Sequence, residues 1–283
     1  MKKCLKCRTP LPENARFCSE CGARQHTPER SAPNPNALNF GGDLAKQLRE
    51  RFFKALRVRI EEEHQSQHFQ QYSEKLYESG FRDTVQLRTQ QLSEELKRLW
   101  ENDDIQQREA LSLMQDVFNE LLDFFIIHFC KDLNETLLPE AILRYQGIKW
   151  DQVNLLQMIL DYLALQLENE TFYTDFLLMP VGKLKNAGQS FLFPDTKKEK
   201  ILLICDQSLL GSCKEGFALT EHAIYWKAPL EKARIVRYDM LDEIRRHKDW
   251  ITINGYFFSA NKAINVRMMK LLKKIRHMQR KLF

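Results

Sequence analysis

The chain has 283 residues, of which 43% are apolar and 29% charged, with seven cysteines and a formal net charge of +5. No apolar run approaches the 18 or more residues of a membrane span, so a protein of spanning helices is excluded. The first residues, Met1-Lys2-Lys3-Cys4, lack the apolar core of a secretory signal, so we expect a cytoplasmic protein with room for more than one folded unit.

Four cysteines near the N-terminus form two Cys-x2-Cys pairs, Cys4/Cys7 and Cys18/Cys21. Each pair can aim two sulfurs at one ion, and two pairs complete a closed tetrahedral zinc shell. A unit of this size buries too little apolar surface to fold alone, so a metal would supply the missing stability. The spacing therefore predicts one structural Zn²⁺. Two disulfides or a redox Cys-x2-Cys are the alternatives, although redox motifs rarely come as matched pairs.

The segment MKKCLKCRTPLPENARFCSECGARQ resembles the short zinc-ribbon domain found at the N-termini of many bacterial proteins. It keeps Phe17-Cys18 and Cys21-Gly22 of the family's pattern and departs from it at Arg8, where glycine is usual. The resemblance implies a zinc ribbon over residues 1–25. It also implies a structural site with no open coordination position, and hence no catalytic metal.

Residues 26–42 contain three prolines and the Gly41-Gly42 pair without an apolar period, which predicts a flexible linker. The chain then follows helical periodicity, and we expect an all-α bundle over residues 43–182. The predicted helices are Leu44–Tyr77, 82–100, 105–131, Pro139–Tyr145 and Asp151–Leu167.

The apolar period shortens in the last third of the chain, which predicts a β domain over residues 195–283. Its predicted strands are Ile201–Cys205, Gly216–Thr220, Ala223–Lys227, Ala233–Tyr238, Trp250–Ile253 and Tyr256–Ser259. Asn254-Gly255 fits the type I′ turn of a hairpin, and one helix, Asn261–Lys281, ends the chain. We expect a small antiparallel β-barrel capped by that helix, within a multidomain α+β protein.

The stretch GFALTEHAIYWK, followed by VRYDMLDEI and the last helix, is similar to bacterial pleckstrin-homology-like (PH-like) domains. The similarity is a pattern of strands rather than a set of ligand residues. It therefore implies a fold and says little about a ligand.

The charge is distributed unevenly along the chain. Residues 197–283 hold 19 Lys and Arg against nine Asp and Glu, whereas residues 26–196 hold 18 against 27. A basic end joined to an acidic middle indicates either an anionic partner or a contact between the two parts.

The last helix concentrates the basic residues. They lie largely off its apolar face, and no acidic residue follows Asp249. They are Lys262, Arg267, Lys270, Lys273, Lys274, Arg276, Arg280 and Lys281. One interpretation is an apolar face that plugs the barrel, with the lysines in solvent. The other is a surface for anionic lipid or nucleic acid, and the two are compatible.

The remaining candidate sites are weaker. His64 and His68 have the spacing of a chelating pair on a helix, but a polar helix face is favoured because no third ligand is near. Cys130, Cys205 and Cys213 lie in apolar surroundings and are expected to be buried rather than nucleophilic. No phosphate-binding loop or nucleophile elbow is present.

These patterns together favour a non-catalytic cytoplasmic interaction protein, or adaptor, with a ribbon that docks a protein partner. Nucleic-acid binding through the ribbon and the last helix is the first alternative, and peripheral membrane attachment through that helix is the second. No small-molecule substrate is implied.

Overall fold

The computed structural model describes residues 2–4, 7–11, 20–21, 37–64, 68–194 and 199–280. At the N-terminus, strands β1 (Lys2–Lys3) and β2 (Pro10–Leu11) form an antiparallel pair. Most of the predicted linker lies outside the described residues.

The end of the predicted linker is packed rather than free. Leu38 is buried, and its backbone N–H and C=O both bond to the Gln107 side-chain amide. The Phe40 ring stacks on Trp100 with a centroid distance of 4.2 Å. Residues 37–42 therefore belong to the folded helical region, because their apolar side chains have helices to pack against.

Four helices form the first half of the described fold: α1 (Leu44–Glu63), α2 (Phe69–Glu78), α3 (Phe81–Glu101) and α4 (Gln107–Phe129). Asp43 caps α1, because its carboxylate accepts from the Lys46 backbone N–H at 2.9 Å. The sequence predicted one helix from Leu44 to Tyr77, and this was wrong. The backbone is extended at His64, so α1 ends there and α2 begins five residues later.

Shorter elements follow α4. They are α5 (Leu155–Leu163) and three 3₁₀ segments at Glu140–Tyr145, Trp150–Gln152 and Leu165–Leu167. The predicted helix 151–167 is therefore three elements. Asn154, not Asp151, caps α5, since its side chain accepts from the Gln157 N–H at 3.1 Å.

Two antiparallel sheets form the second half. The first has five strands in sequence order: β3 (Thr171–Tyr173), β4 (Ile201–Asp206), β5 (Gly216–Thr220), β6 (Ala223–Lys227) and β7 (Arg234–Arg237). The second contains β8 (Ile244–Arg246), β9 (Ile251–Ile253) and β10 (Tyr256–Phe258). Asn254 and Gly255 join β9 to β10 with φ of 49° and 80°, which confirms the predicted hairpin.

The two sheets face each other around Trp226. The Trp226 indole N–H donates to the Phe257 carbonyl at 2.7 Å, and the Trp226 and Phe217 rings both pack on Phe258. Helix α7 (Lys262–Arg280) closes the core on the other side. The sheets are not closed into one barrel, so the predicted PH-like barrel is not confirmed; the structure shows a helical region and antiparallel sheets.

Residues 171–192, most of which the sequence analysis placed with or beside the helices, pack on the five-stranded sheet. Strand β3 pairs with β4, and helix α6 (Val181–Ser190) shares a small core with Ile204, Ala218 and Tyr225. The main core runs without a break from α1–α5 through the sheets to α7. None of the described helices is long and apolar enough to cross a membrane.

Candidate metal centre and charged surfaces

The first Cys-x2-Cys pair forms a tight turn after β1. The Cys4 N–H donates to the Thr9 carbonyl at 2.9 Å, and the Arg8 N–H donates to the Cys4 carbonyl at 3.0 Å. The Cys7 N–H points at the Cys4 sulfur at 3.5 Å. This is the turn that a zinc knuckle needs, because it puts both sulfurs on one side of the backbone.

Three of the four predicted ligands come together. The Sγ atoms of Cys4, Cys7 and Cys21 all lie within 4.8 Å of one another, and Cys4 and Cys21 are 3.6 Å apart. Tetrahedral zinc with Zn–S bonds of about 2.3 Å would separate its sulfurs by about 3.8 Å, so the spacing fits. Cys18 lies outside the described residues.

The turn also favours the thiolate form. The Thr9 hydroxyl lies 3.2 Å from the Cys7 sulfur, and this contact holds the pKa of Cys7 below its ordinary value. Zinc binds the thiolate, so the shift favours coordination.

Arg8 explains the family's preference for glycine at its position. The φ of Arg8 is 62°, which lies in the left-handed region. This conformation is unfavourable for a residue that has a Cβ atom, whereas glycine adopts it without that penalty. The chain therefore makes the usual knuckle turn without the usual residue.

Comparison with known proteins agrees with this geometry. One known family, described as a zinc-ribbon domain, matches residues 3–25. No curated protein and no solved structure matches the chain. The N-terminal segment is thus a zinc ribbon that the chain has in common with that family, and the match does not extend to the helices or the sheets.

The basic residues of α7 divide into two groups, and the first is buried. Arg267 is 2% exposed, and its Nη1 lies 2.8 Å from a Glu168 oxygen and 3.2 Å from the Leu163 carbonyl. Lys270 is 6% exposed, and its Nζ lies 3.0 Å from Glu63 and 3.1 Å from Asp123. These two side chains face the helical region rather than solvent.

Glu63 at the end of α1 is the centre of this buried network. It is 2% exposed and contacts Lys270, Lys273 at 3.0 Å and Arg59 at 3.5 Å. Burial alone would raise the pKa of Glu63, but these three cations hold it well below its ordinary value. The pKa of Asp123 is lowered for the same reason, because Lys270 and Arg59 outweigh its burial.

The second group lies nearer the surface, and most of it is also paired. Lys262 lies 3.4 Å from Glu135, Lys273 2.9 Å from Glu62 and Arg280 3.0 Å from Asp242.

Two further members of the group are half-buried. They are Lys274 and Arg276, which join the half-buried Lys273 described above, and Arg276 donates to the Asp242 carbonyl. Lys281 lies outside the described residues. The uneven charge of the sequence therefore corresponds to a contact between the acidic helical region and the basic last helix.

The two histidines have separate environments. His64 is buried, its Nδ1 lies 3.2 Å from the Tyr72 hydroxyl, and its Nε2 has no hydrogen-bond partner among the described residues. Burial lowers the pKa of His64 to about 3. His68 Nδ1 lies 2.9 Å from Gln71. Within the described residues, the N-terminal cysteines form the only cluster suited to a metal.

The three remaining cysteines are buried, as the sequence predicted. Burial raises the pKa of Cys130 to about 12 and of Cys213 to about 11, and it raises that of Cys205 further. A thiol that stays protonated is a poor nucleophile.

Sequence reasoning missed a group of exposed leucines. Leu177 and Leu178, before α6, are 96% and 81% exposed, and Leu209 and Leu210, in the loop from β4 to β5, are 96% and 91% exposed. The signal in the sequence was two Leu-Leu pairs within segments that have no helical or strand period.

The two leucine loops are attached to neighbouring structure. Lys183 of α6 lies 3.2 Å from Asp206 at the end of β4, and Asn186 donates to the Ser212 carbonyl at 2.8 Å. Helix α6, which begins three residues after Leu178, is thus attached to the loop that carries Leu209 and Leu210.

Proposed function

We propose that the protein is a non-catalytic cytoplasmic interaction protein, an adaptor that docks protein partners through its zinc ribbon and through the leucine loops. The observation that carries the proposal is the exposure of four leucines on two loops, one directly before α6 and the other hydrogen-bonded to α6.

Exposed leucine pairs are costly in water. Burying one leucine side chain is favourable by about 1.5–3 kcal/mol, so each exposed Leu-Leu pair is a strong potential contact. Clustered apolar side chains on a protein surface mark interaction sites far more often than isolated ones do. The surroundings carry charges of both signs, Asp175 and Glu215 with Lys185 and Lys214, and such a mixed rim around apolar side chains suits a protein partner.

The ribbon supports the same role. Four cysteines, three of them together in the structure, would hold one Zn²⁺ in a closed shell that leaves no position for a substrate. The ion would stabilise the turn and fix the surface around it. The ribbon's residues would then act by presenting that surface to a protein.

A PH-like fold for the C-terminal part is consistent with this role. Strands β4–β7 form four consecutive strands of one sheet, β8–β10 form a second sheet, and α7 follows. This is the order that the resemblance to PH-like domains implies. The fold alone assigns no ligand.

The alternatives have less support from the geometry. Nucleic-acid binding through the ribbon and α7 stays a prediction, but Arg267 and Lys270 are buried against carboxylates. Membrane attachment through α7 also stays a prediction, but its apolar residues Ile264, Leu271 and Ile275 are buried in the core.

The test compares the partners retained by the full chain and by Leu209→Ser/Leu210→Ser. The matched control is Leu87→Ser/Leu137→Ser, two exposed leucines elsewhere. We expect a purified partner to bind the wild type and the control directly and to lose at least about tenfold in affinity for the variant. Equal binding of all partners by wild type and variant would contradict the proposal. It would also be contradicted if the variant lost binding to anionic lipid vesicles but kept its binding to every protein partner.

The ribbon is tested separately with Cys4→Ser/Cys7→Ser. This change is preferable to removal of residues 1–42, because Leu38 and Phe40 pack on the helical region. Metal analysis should give one zinc per wild-type chain and none for the variant.

A further inference from the structure

Helix α1 carries basic side chains that contrast with those of α7. Lys46, Arg49, Lys54 and Arg57 lie on its outer side, half-buried or exposed. Arg57 stacks over the Phe69 ring at 4.7 Å, but none of the four has a carboxylate within ion-pair distance among the described residues. This charge is left unneutralised within a region that is acidic as a whole.

Two of these cations line one groove together with Arg82 of α3. The groove lies between α1 and α3 and has a volume of about 230 Å³. Lys46 and Arg49 line it from α1, and Arg82 lines it from the first turn of α3. Like charges held this close repel each other, and an anion between them would relieve that repulsion.

The floor of the groove is apolar. It is formed by Phe53, which is half-buried, and by Val85, which is 2% exposed. Gln86 adds an amide and Glu50 one carboxylate. Three cations against one carboxylate leave the rim positive, so the groove combines an apolar base with a cationic rim.

We propose that this groove binds an acidic peptide segment of a partner protein. An apolar side chain of the peptide lies on Phe53 and Val85, and flanking carboxylates pair with Arg49, Arg82 and Lys46. Arginine suits this role because its planar guanidinium binds a carboxylate through two parallel hydrogen bonds. Anchoring an apolar side chain between two helices is a common mode of peptide recognition.

The dimensions favour a peptide over the other anions. Pockets for small molecules have volumes of about 300–1,000 Å³, so this groove suits a single side chain better than a whole ligand. Single-stranded nucleic acid is held by successive aromatic platforms along a basic track. Here Phe53 is the one ring that lines the groove, and the nearby Tyr77 ring is already covered by the Arg82 guanidinium at 4.9 Å.

The test is selection of peptides from a random library displayed on phage, with the full-length protein as bait. Selected peptides should carry Asp and Glu on both sides of one apolar residue. Measured by fluorescence anisotropy, their affinity should fall by at least about tenfold for Arg49→Glu/Arg82→Glu, because two attractive contacts become repulsive. Phe53→Ala should weaken binding less.

The matched control is Arg98→Glu/Arg108→Glu. It makes the same change of charge at two exposed arginines outside the groove, and Arg98 lies 16 residues further along α3, which is about 24 Å. The control should bind within about twofold of the wild type, since distant exposed charges are screened at physiological salt. Unchanged circular dichroism and melting temperature show that both double variants are folded.

Three results would overturn the proposal. They are selection without acidic enrichment, equal loss of affinity in the control, and a failure to select any peptide that the groove variant weakens. Binding of a twenty-nucleotide oligothymidylate that only the groove variant loses, without acidic peptides, would assign the groove to nucleic acid instead. The leucine-loop experiment does not touch these residues, so either proposal can fail alone.

Discussion

Helix α7 and the α1–α3 groove carry similar basic side chains and differ in what those side chains face. Lys270 of α7 is buried between two carboxylates, and Lys273 beside it is paired with Glu62 and Glu63. Arg49 and Arg82 line a groove whose one carboxylate, Glu50, forms no ion pair with them. Basic sequence alone therefore does not identify a binding surface, because a folded chain can supply the counter-charge itself.

The same comparison explains how the two halves are joined. Burying a lysine or a glutamate is costly unless a partner of opposite charge is placed well. The network around Glu63 links α1, α4 and α7, with Arg246 of β8 donating to the Glu63 carbonyl. Such a network fixes where α7 lies against the helices, since another position would leave charges buried without partners.

The largest expected effect is that of Glu63→Gln. The change removes the carboxylate shared by Arg59, Lys270 and Lys273 and leaves a buried cation partly uncompensated. We expect the free energy of unfolding to fall by about 3–5 kcal/mol. Urea denaturation measures it. The exposed neighbour provides the control, and Glu61→Gln should change stability by less than about 0.5 kcal/mol. Similar small losses for both would show that Glu63 is not a centre of the fold.

His64 gives the network a dependence on pH. Because burial lowers its pKa in the folded state to about 3, the unfolded state takes up the proton first as the pH falls. Stability is therefore full above the unfolded pKa of about 6.5, and about 2 kcal/mol is lost between roughly pH 8 and pH 5. We expect His64→Gln to remove this loss in urea titrations at the two pH values. His222→Gln, at an exposed site, should keep it.

A smaller effect is expected from substitution of Arg8, a basic residue whose backbone conformation, rather than its charge, is unfavourable. Its left-handed backbone strains the zinc turn, and glycine would relieve that strain. We expect Arg8→Gly to improve zinc affinity by about two- to fivefold, or about 0.5–1 kcal/mol. Competition with a chelator measures it. Arg8→Ala removes the same charge but keeps the Cβ, so an equal gain there would attribute the effect to charge instead.

The sequence predicted several local features well because their causes are local. Asn254-Gly255 confirms the predicted turn, since both residues tolerate positive φ. The Sγ atoms of Cys4, Cys7 and Cys21 lie close together, as the spacing of the two Cys-x2-Cys pairs predicted. Strands β3 and β8, each of three residues, are too short to show a period, and α6 is short and has a single fully buried residue, Ala187.

The contacts of the basic side chains of α7 could not be predicted from the local sequence. Lys270 and Glu63 are 207 residues apart in the chain, so no pattern within the last helix shows that its polar side is covered. The charge asymmetry allowed either a partner or an internal contact, and only the three-dimensional packing distinguishes them. Similarly, the cations of α1 were hidden in a region whose total charge is negative.

The central claim is that the charge of α7 acts within the fold and that the charge of the α1–α3 groove does not. A double-mutant cycle of Glu63→Gln and Lys270→Met tests it most directly, with Lys46→Met and Glu50→Gln as the matched cycle in the groove. We predict a coupling energy in urea unfolding of about 2 kcal/mol or more for the first pair and less than about 0.5 kcal/mol for the second. A coupling near zero for Glu63 and Lys270, or equal couplings in the two cycles, would contradict the account.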